Sequence, residues 1–231
     1  MSTEMLQIFI TGYIGRSVLQ LLLDHCKHDA FAIMAYVRSE EKAKKLEAFG
    51  VHTAIGTLDE VDKLEDLSSK ANVVLNTADS DHFAGNTAIL RGLRKRHERT
   101  GEVPILIHTS GTDEEITHSI LGYARTYIIL PAMIYGLATG KLVDTGIVKR
   151  RSIQVPAIIK ASLARGQGGV VGEGKNFWPN VHIDDSAYYT LLFRQCITID
   201  DRYLLCTLAV QLFLSVFNDA LAPGTPGAAW A

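Results

Sequence analysis

The sequence has few cysteines, almost no excess charge and no long hydrophobic run. Its three cysteines, Cys26, Cys196 and Cys206, are odd in number, far apart and without a CxxC pair. This pattern argues against a disulfide framework and against a thiolate metal site, and it favours a reducing compartment. The formal net charge of −2 excludes a global positive field that would attract nucleic acid or an acidic membrane. A small molecule is therefore the expected partner.

Membrane-directed segments are also lacking. The N-terminus has an acid, Glu4, before its short apolar run and no basic region, so a signal peptide is not predicted. The most apolar stretch, residues 203–217, is interrupted by polar residues and is shorter than the ~20 residues that span a bilayer. It is predicted to be a buried helix or strand, the alternative being a membrane anchor. We expect a cytoplasmic protein.

The first half of the sequence alternates short apolar runs with helical patterns, which is typical of βαβ units and a parallel sheet. Strands are predicted over residues 7–11, 32–37, 52–55, 73–77, 105–109 and 126–134. Ser39 and Gly50 bracket a helix, and Thr57 with Glu60 matches a capping box. Right-handed crossovers then give the sheet order 3-2-1-4-5, extended by the sixth strand. The predicted fold class is α/β, a Rossmann-type doubly wound parallel sheet.

The pattern changes after Gly136, where glycine-rich turns and helices over 156–165 and 184–194 are predicted. We expect a dinucleotide-binding domain over 1–136 and a small, truncated C-terminal substrate lobe over 137–221. The tail, 222–231, is rich in Pro, Gly and Ala and is predicted to be disordered.

The segment IFITGYIGRSVLQLLL places a GxxG motif between a strand and a helix. The motif comprises Gly12, Tyr13, Ile14 and Gly15. In this context it predicts a turn where a pyrophosphate approaches the backbone and meets the helix N-terminus. The alternative is a plain tight turn from strand to helix.

The second strand ends at Arg38 and Ser39, where dinucleotide-binding proteins distinguish their cofactors. Arg38 can pair with a 2′-phosphate, Ser39 can donate a hydrogen bond, and no carboxylate precedes Glu40. This favours NADP(H) over NAD(H). The alternative is that Arg38 is only a solvated residue at a helix start.

The ends of strands four and five should line the same crevice. Thr77, Ala78 and Thr109 are the predicted cofactor-binding residues there, since carboxyl ends of parallel strands converge at the switch point. Asp59 is a candidate to face the adenine, although acids in a first helical turn are common because of the helix dipole.

Taken in order, several motifs resemble the extended and atypical short-chain dehydrogenase/reductase superfamily, especially its NmrA-like and epimerase/dehydratase-like NAD(P)-binding proteins. The motifs are ITGYIG, VRS, NTAD, HTSGT, LPAMIYG and GEGKNFWPNVHIDD. They span roughly residues 7 to 190, and their order is more specific than any one of them. The resemblance implies a catalytic role for Ser110, whose position matches a hydroxyl that donates to the substrate oxygen.

The sequence also departs from that family. The family reads TGxxGxxG, whereas only TGxxG stands here, three residues shorter. The family's catalytic Tyr has a Lys four residues on, and none of the eight tyrosines here does. The resemblance implies an NADP(H)-binding oxidoreductase or epimerase/dehydratase-like protein acting on a small molecule. The alternatives are a catalytically inactive dinucleotide-binding regulator or a degenerate family member, and the oligomeric state stays open.

Three other groupings are given structural interpretations. His25 and His28 have metal-ligand spacing, but no further ligand is readable nearby, so no metal site is predicted. The basic run over 91–99 is interpreted as a solvated helix face. His182, before Asp184, is interpreted as a cap and brace for the following helix.

Overall fold

The fold is described from a computed structural model. It describes residues 5–26, 28–109, 122–129, 133–170, 172–175 and 179–186. These residues belong to one compact unit of the chain, Met1–Arg194. The division of the chain at residue 136 stays a prediction, and the tail over 222–231 lies outside the described residues.

Six parallel strands form the central sheet. They are β1 (Leu6–Thr11), β2 (Phe31–Val37), β3 (His52–Ile55), β4 (Val73–Thr77), β5 (Ile105–Thr109) and β6 (Arg125–Ile129). Their order is β3-β2-β1-β4-β5-β6, which confirms the predicted doubly wound topology. Because β1 and β4 are neighbours, the chain direction across the sheet reverses beside them, and ligands of such sheets bind at this point.

Helices cover both faces of this sheet. They are α1 (Gly12–Leu23), α2 (Glu40–Glu47), α3 (Val61–Lys70) and α4 (Phe83–Thr100). Successive side chains of a strand point to opposite faces. Phe9 therefore belongs to the buried cluster of α3 and α4, together with Leu64 and Leu93. Ile10 lies on the other face, where α1 approaches it at Gly15.

The predicted helix starts are partly confirmed. Ser39 is the residue before α2, but its side chain makes no capping bond. The carboxylate of Glu60 accepts a hydrogen bond from the Thr57 amide at 2.9 Å, as a capping box requires. The helix itself begins only at Val61, so Glu60 precedes the helix rather than lying in its first turn.

The basic run over 91–99 lies on α4 and is bound by neighbouring groups. Glu65 of α3 pairs with Arg91 at 2.7 Å and with Lys95. The guanidinium of Arg96 donates to the carbonyl of Lys70 at 3.1 Å. These bonds tie α4 to α3. Arg91 and Lys95 are exposed, as a solvated face requires, whereas Arg96 is buried and departs from that expectation.

The predicted sixth strand, 126–134, is wrong as a single element. Its first part is β6, and its second part forms β7 (Met133–Tyr135), which pairs in parallel with β8 (Asn180–His182) in a separate two-stranded sheet. The sequence has Pro131 between the two parts. Because proline lacks an amide hydrogen, it interrupts a hydrogen-bonded ladder, and this explains why one apolar run supplies two sheets.

Two further helices are described between β7 and β8. They are α5 (Lys141–Asp144) and α6 (Gln154–Arg165), and α6 ends at Gly166 with φ of 74°. The predicted helix over 156–165 is thus confirmed, whereas that over 184–194 lies largely outside the described residues. In the part of the chain that is described, no helix has the length and apolarity needed to cross a membrane.

Candidate functional site

The carboxyl ends of the sheet strands bring the predicted residues to one edge. All five strand pairings are parallel, so every strand ends at the same side of the sheet. Arg38 follows β2, Gly12 follows β1, Ala78 follows β4, and Thr109 ends β5. Their roles in binding stay predictions, but the topology places them along the edge where doubly wound sheets bind ligands.

Gly12 joins β1 to α1 with no connecting residue between them. Its φ is 83°, and a Cβ atom there would lie 2.0 Å from the carbonyl oxygen of Thr77 and 2.4 Å from the amide nitrogen of Ala78. Only glycine allows this approach of two backbones. The close packing against β4 is therefore enough to explain why residue 12 must be glycine. This agrees with the alternative interpretation of the GxxG motif, a plain tight turn from strand to helix.

Thr77 holds the first turn of α1 through its hydroxyl group. Its Oγ1 accepts a hydrogen bond from the Gly15 amide at 2.7 Å and donates one to the Thr11 carbonyl at 2.5 Å. An α-helix pairs these two backbone groups with each other in its first turn. The Thr77 hydroxyl bridges them. Gly15 also needs its small size, since a Cβ there would be 2.6 Å from Ile10 Cγ2.

The N-terminus of α1 has no side-chain cap. Thr11 is the N-cap residue, with φ of −123° and ψ of 157°, but its side chain makes no capping bond and the first turn contains no acid. The Thr11 hydroxyl instead donates to Asn76 Oδ1 at 2.9 Å and accepts from the Thr77 amide at 3.3 Å. An uncapped helix start offers amide donors and a partial positive charge, which suit an anion.

A buried polar network lies beneath this helix start. Asn76 Nδ2 donates to Asn86 Oδ1 at 2.8 Å and lies 2.9 Å from His108 Nδ1. Asn86 in turn donates to the carbonyl of Ser80 at 2.8 Å. Asn76 and His108 are each 2% exposed. Both belong to the strand ends that the sequence predicts to line the crevice, but neither was given a binding role, and their bond to each other was not predicted.

His108 makes the stability of the fold sensitive to mild acid. Burial lowers the pKa of its imidazole below the usual 6.5, so the unfolded chain binds a proton there before the folded protein does. The contribution of neutral His108 to the free energy of unfolding is complete above about pH 6.5. As pH falls from there toward the folded-state pKa, the free energy of unfolding decreases by up to about 1.4 kcal/mol per pH unit.

We therefore expect the free energy of unfolding of wild type to fall more steeply than that of His108→Gln between about pH 7.5 and about pH 5.5. Glutamine keeps an acceptor for Asn76 but does not titrate. Urea unfolding at several pH values measures both slopes. Parallel slopes for the two proteins would contradict this assignment.

Arg38 and Ser39 form the polar end of β2. Arg38 is exposed and has no ion pair or hydrogen bond with a described residue. The Ser39 hydroxyl is not used to cap α2. Both side chains therefore keep the donors that a phosphate requires.

Asp59 is engaged with a neighbouring histidine. Its carboxylate lies 3.1 Å from His82 Nε2, and this hydrogen bond, followed by one from Thr57, lowers the pKa of Asp59. His82 Nδ1 accepts from the Gly85 amide at 3.0 Å and so caps α4. Because Asp59 holds the histidine that caps α4, it has a structural role. The contact of Asp59 with adenine stays a prediction.

Other predicted positions are described in part. The Thr109 hydroxyl is buried and has no hydrogen-bond partner within the described ranges. Ala78 is exposed at the strand-end edge. Tyr13 and Ile14 belong to the first turn of α1, while their side chains lie outside the description. Ser110 lies outside the described residues, so its catalytic role stays a prediction.

Tyr123 and Tyr135 are candidate substitutes for the family's catalytic tyrosine. Burial raises the pKa of Tyr123, although nearby Arg94 opposes this effect. Tyr135 is 46% exposed, and its ring packs edge-on against His182 at 5.4 Å between centroids. A phenol that acts as a base needs a lowered pKa, so Tyr123 is unsuited to that role.

A cleft lies along the outer face of α1, between this helix and residues 138–148. Its polar lining includes Ser17, Gln20, Asp24 and Asp184. Gln20 already accepts from the Leu142 amide at 2.9 Å and donates to Asp24 at 2.7 Å. These bonds attach α5 to α1, so the cleft belongs to the packing of α1 rather than to its N-terminal end.

No family model matches the chain. It is 26% identical over 222 residues to the oxidase ucsJ of an Acremonium species, covering 76% of this chain and 61% of that protein. It is 29% identical over 207 residues to the uncharacterized protein C2A9.02 of Schizosaccharomyces pombe, covering 79% of this chain and 68% of that one. The chain thus spans about three fifths to two thirds of these relatives.

Solved structures share the fold at low sequence identity. UDP-glucose 4-epimerase of Thermotoga maritima superposes with a TM-score of 0.53 at 14% identity, over 81% of this chain and 73% of that one. Yeast methylglyoxal/isovaleraldehyde reductase Gre2, complexed with NADPH, superposes with a TM-score of 0.51 at 15% identity, over 87% of this chain and 73% of that one. Citrobacter triphenylmethane reductase, complexed with NADP(H), superposes with a TM-score of 0.51 at 16% identity, over 78% of this chain and 62% of that one. The predicted Rossmann fold is confirmed.

Proposed function

We propose that this chain binds NADP(H) at the carboxyl edge of its sheet and has the reductase or epimerase/dehydratase type of Rossmann fold. The observation that carries the proposal is the uncapped start of α1, whose N-cap hydroxyl is bonded to Asn76 instead. The complexes of Gre2 and of the triphenylmethane reductase with NADPH or NADP(H) support it.

The residues present fit such a cofactor. The first-turn amides that the sheet does not use would hold its pyrophosphate, since the first amides of a helix lack intrahelical acceptors. Gly12 lies in a parallel bridge with Thr77, which engages the amide of Gly12 or of Tyr13, and the Ile14 amide lies outside that bridge. Arg38 and Ser39 would hold a 2′-phosphate. When bound, the cofactor supplies hydride chemistry at its nicotinamide. The protein's own residues bind and orient it.

Preference for NADP(H) over NAD(H) rests on the end of β2. NAD-binding proteins place an acid there to accept from the ribose 2′-hydroxyl. Here the exposed guanidinium of Arg38 comes first, and Glu40 already begins α2. A guanidinium forms paired hydrogen bonds with a phosphate, so this strand end favours the phosphorylated cofactor.

A second candidate is a dinucleotide-binding protein without catalytic activity, as a regulator would be. The observation in its favour is that no tyrosine of the sequence precedes a lysine by four residues. In that arrangement the cation lowers the pKa of the phenol. Turnover of NADPH with a panel of small carbonyl compounds distinguishes the two candidates, because a regulator binds the cofactor without oxidising it.

Arg38→Glu is expected to weaken NADPH binding by at least about tenfold without weakening NADH binding, whose ribose 2′-hydroxyl a carboxylate can accept from. The reason is that only NADPH has the 2′-phosphate, which a carboxylate at this position would repel. Titration calorimetry or intrinsic fluorescence measures both affinities.

Arg94→Glu is the matched control, because Arg94 is an exposed arginine on α4 that pairs with Glu98. It should leave both affinities unchanged. Equal loss of NADPH affinity in both variants would refute the role of Arg38. No binding of either dinucleotide at about 1 mM would refute the cofactor proposal itself.

A further inference from the structure

Thr11 has the backbone of a capping residue but does not cap its helix. Its φ of −123° and ψ of 157° are extended, as N-cap residues usually are. From such a position a threonine hydroxyl ordinarily accepts from an amide of the first turn. Here the hydroxyl is directed to β4, where it bonds to Asn76 Oδ1 at 2.9 Å and to the Thr77 amide at 3.3 Å.

The orientation of the Asn76 side chain is fixed by its other contacts. Its Nδ2 donates to Asn86 Oδ1 at 2.8 Å and lies 2.9 Å from His108 Nδ1. Rotating the amide by a half-turn would bring its oxygen against the oxygen of Asn86 and leave a buried donor facing Thr11. Asn76 Oδ1 is therefore held as an acceptor for Thr11.

We propose that Asn76 is a positioning residue for cofactor phosphate. It keeps the Thr11 hydroxyl away from the helix, so that the first-turn amides of α1 that are not bonded to β4 stay available to an external anion. This inference rests on the proposed function for its ligand, but the capping state of α1 can be measured without any ligand.

A double-mutant cycle on Asn76 and Thr11 tests the proposal. In Asn76→Ala the freed Thr11 hydroxyl turns back and caps α1, so affinity for inorganic pyrophosphate and for NADPH should fall about fivefold. In Thr11→Val no hydroxyl can cap the helix, so adding Asn76→Ala should change affinity by less than about twofold. An equal loss in both backgrounds would show a merely structural role and overturn the proposal.

Amide hydrogen exchange provides the readout that needs no ligand. Exchange at residues 13–14 should slow in Asn76→Ala relative to the amides of α2, and Thr11→Val should not accelerate it in the otherwise wild-type protein. Faster exchange in Thr11→Val would mean that Thr11 already caps α1, which overturns the proposal even if Asn76→Ala does not fold. Absence of pyrophosphate and NADPH binding, with the exchange pattern as expected, would refute only the proposed function.

Discussion

Gly12→Ala is expected to destabilise the fold by about 3–5 kcal/mol, enough to unfold a marginally stable domain. Two effects combine at this position. The φ of 83° is unfavourable for alanine, and its Cβ would lie 2.0 Å from the backbone oxygen of Thr77. Neither β1 nor β4 can move away without breaking the pairing between them, which runs from Ile8 opposite Val73 to Thr11 opposite Asn76.

Gly50→Ala separates the two effects. Gly50 has a similar φ of 76°, but no atom lies within 4 Å of the added Cβ. Gly50→Ala should therefore lower the free energy of unfolding only by the cost of the positive φ, about 1 kcal/mol. Urea unfolding followed by circular dichroism gives both values. If the two substitutions cost the same, the contact between Gly12 and β4 is not as close as described.

Gly92→Ala is expected to destabilise the protein by about 2–4 kcal/mol, although alanine is the better helix former by about 1 kcal/mol. Gly92 lies inside α4, where α4 meets α3. A Cβ there would be 2.4 Å from the carbonyl oxygen of Glu65 and 2.7 Å from Ser68 Cβ. The two helices would have to separate, which would weaken the pairing of Glu65 with Arg91 and Lys95.

The control for Gly92 is Gly168→Ala. No atom lies within 4 Å of a Cβ at Gly168, and its φ is not in the left-handed region. We expect a change within about 0.5 kcal/mol. Thermal or urea unfolding under the same conditions measures both variants. A stabilised Gly92→Ala protein would show that helix propensity outweighs the contact with α3.

The sheet was readable from the sequence because each buried strand is an unbroken apolar run between helix signals. Strands β3, β4 and β5 have the predicted bounds, and the strand order follows from the handedness of crossovers. The break between β6 and β7 was missed because both parts are apolar and the pairing of β7 with β8 joins segments far apart in sequence. Pro131 was the local signal for the break.

The site was readable only as a set of strand ends. The sequence indicates that Thr77 ends a strand beside a glycine turn, but not that its hydroxyl enters the first turn of α1. That contact depends on the register between β1 and β4, and no local pattern encodes it. The bond from Thr11 to Asn76 has the same origin, so a residue that resembles a helix cap belongs to the sheet instead.

The direct junction of β1 and α1 at Gly12 restricts which insertions and deletions the gene can accept there. One added residue would either rotate α1 by about 100° about its axis or shift β1 by one position, which exchanges its two faces. Either change would separate Gly15 from Thr77. Only an insertion that projects as a complete loop from the carboxyl edge leaves both elements in place. The sequence at this junction can therefore lengthen in a block of residues, whereas a single codon gained or lost disrupts the core.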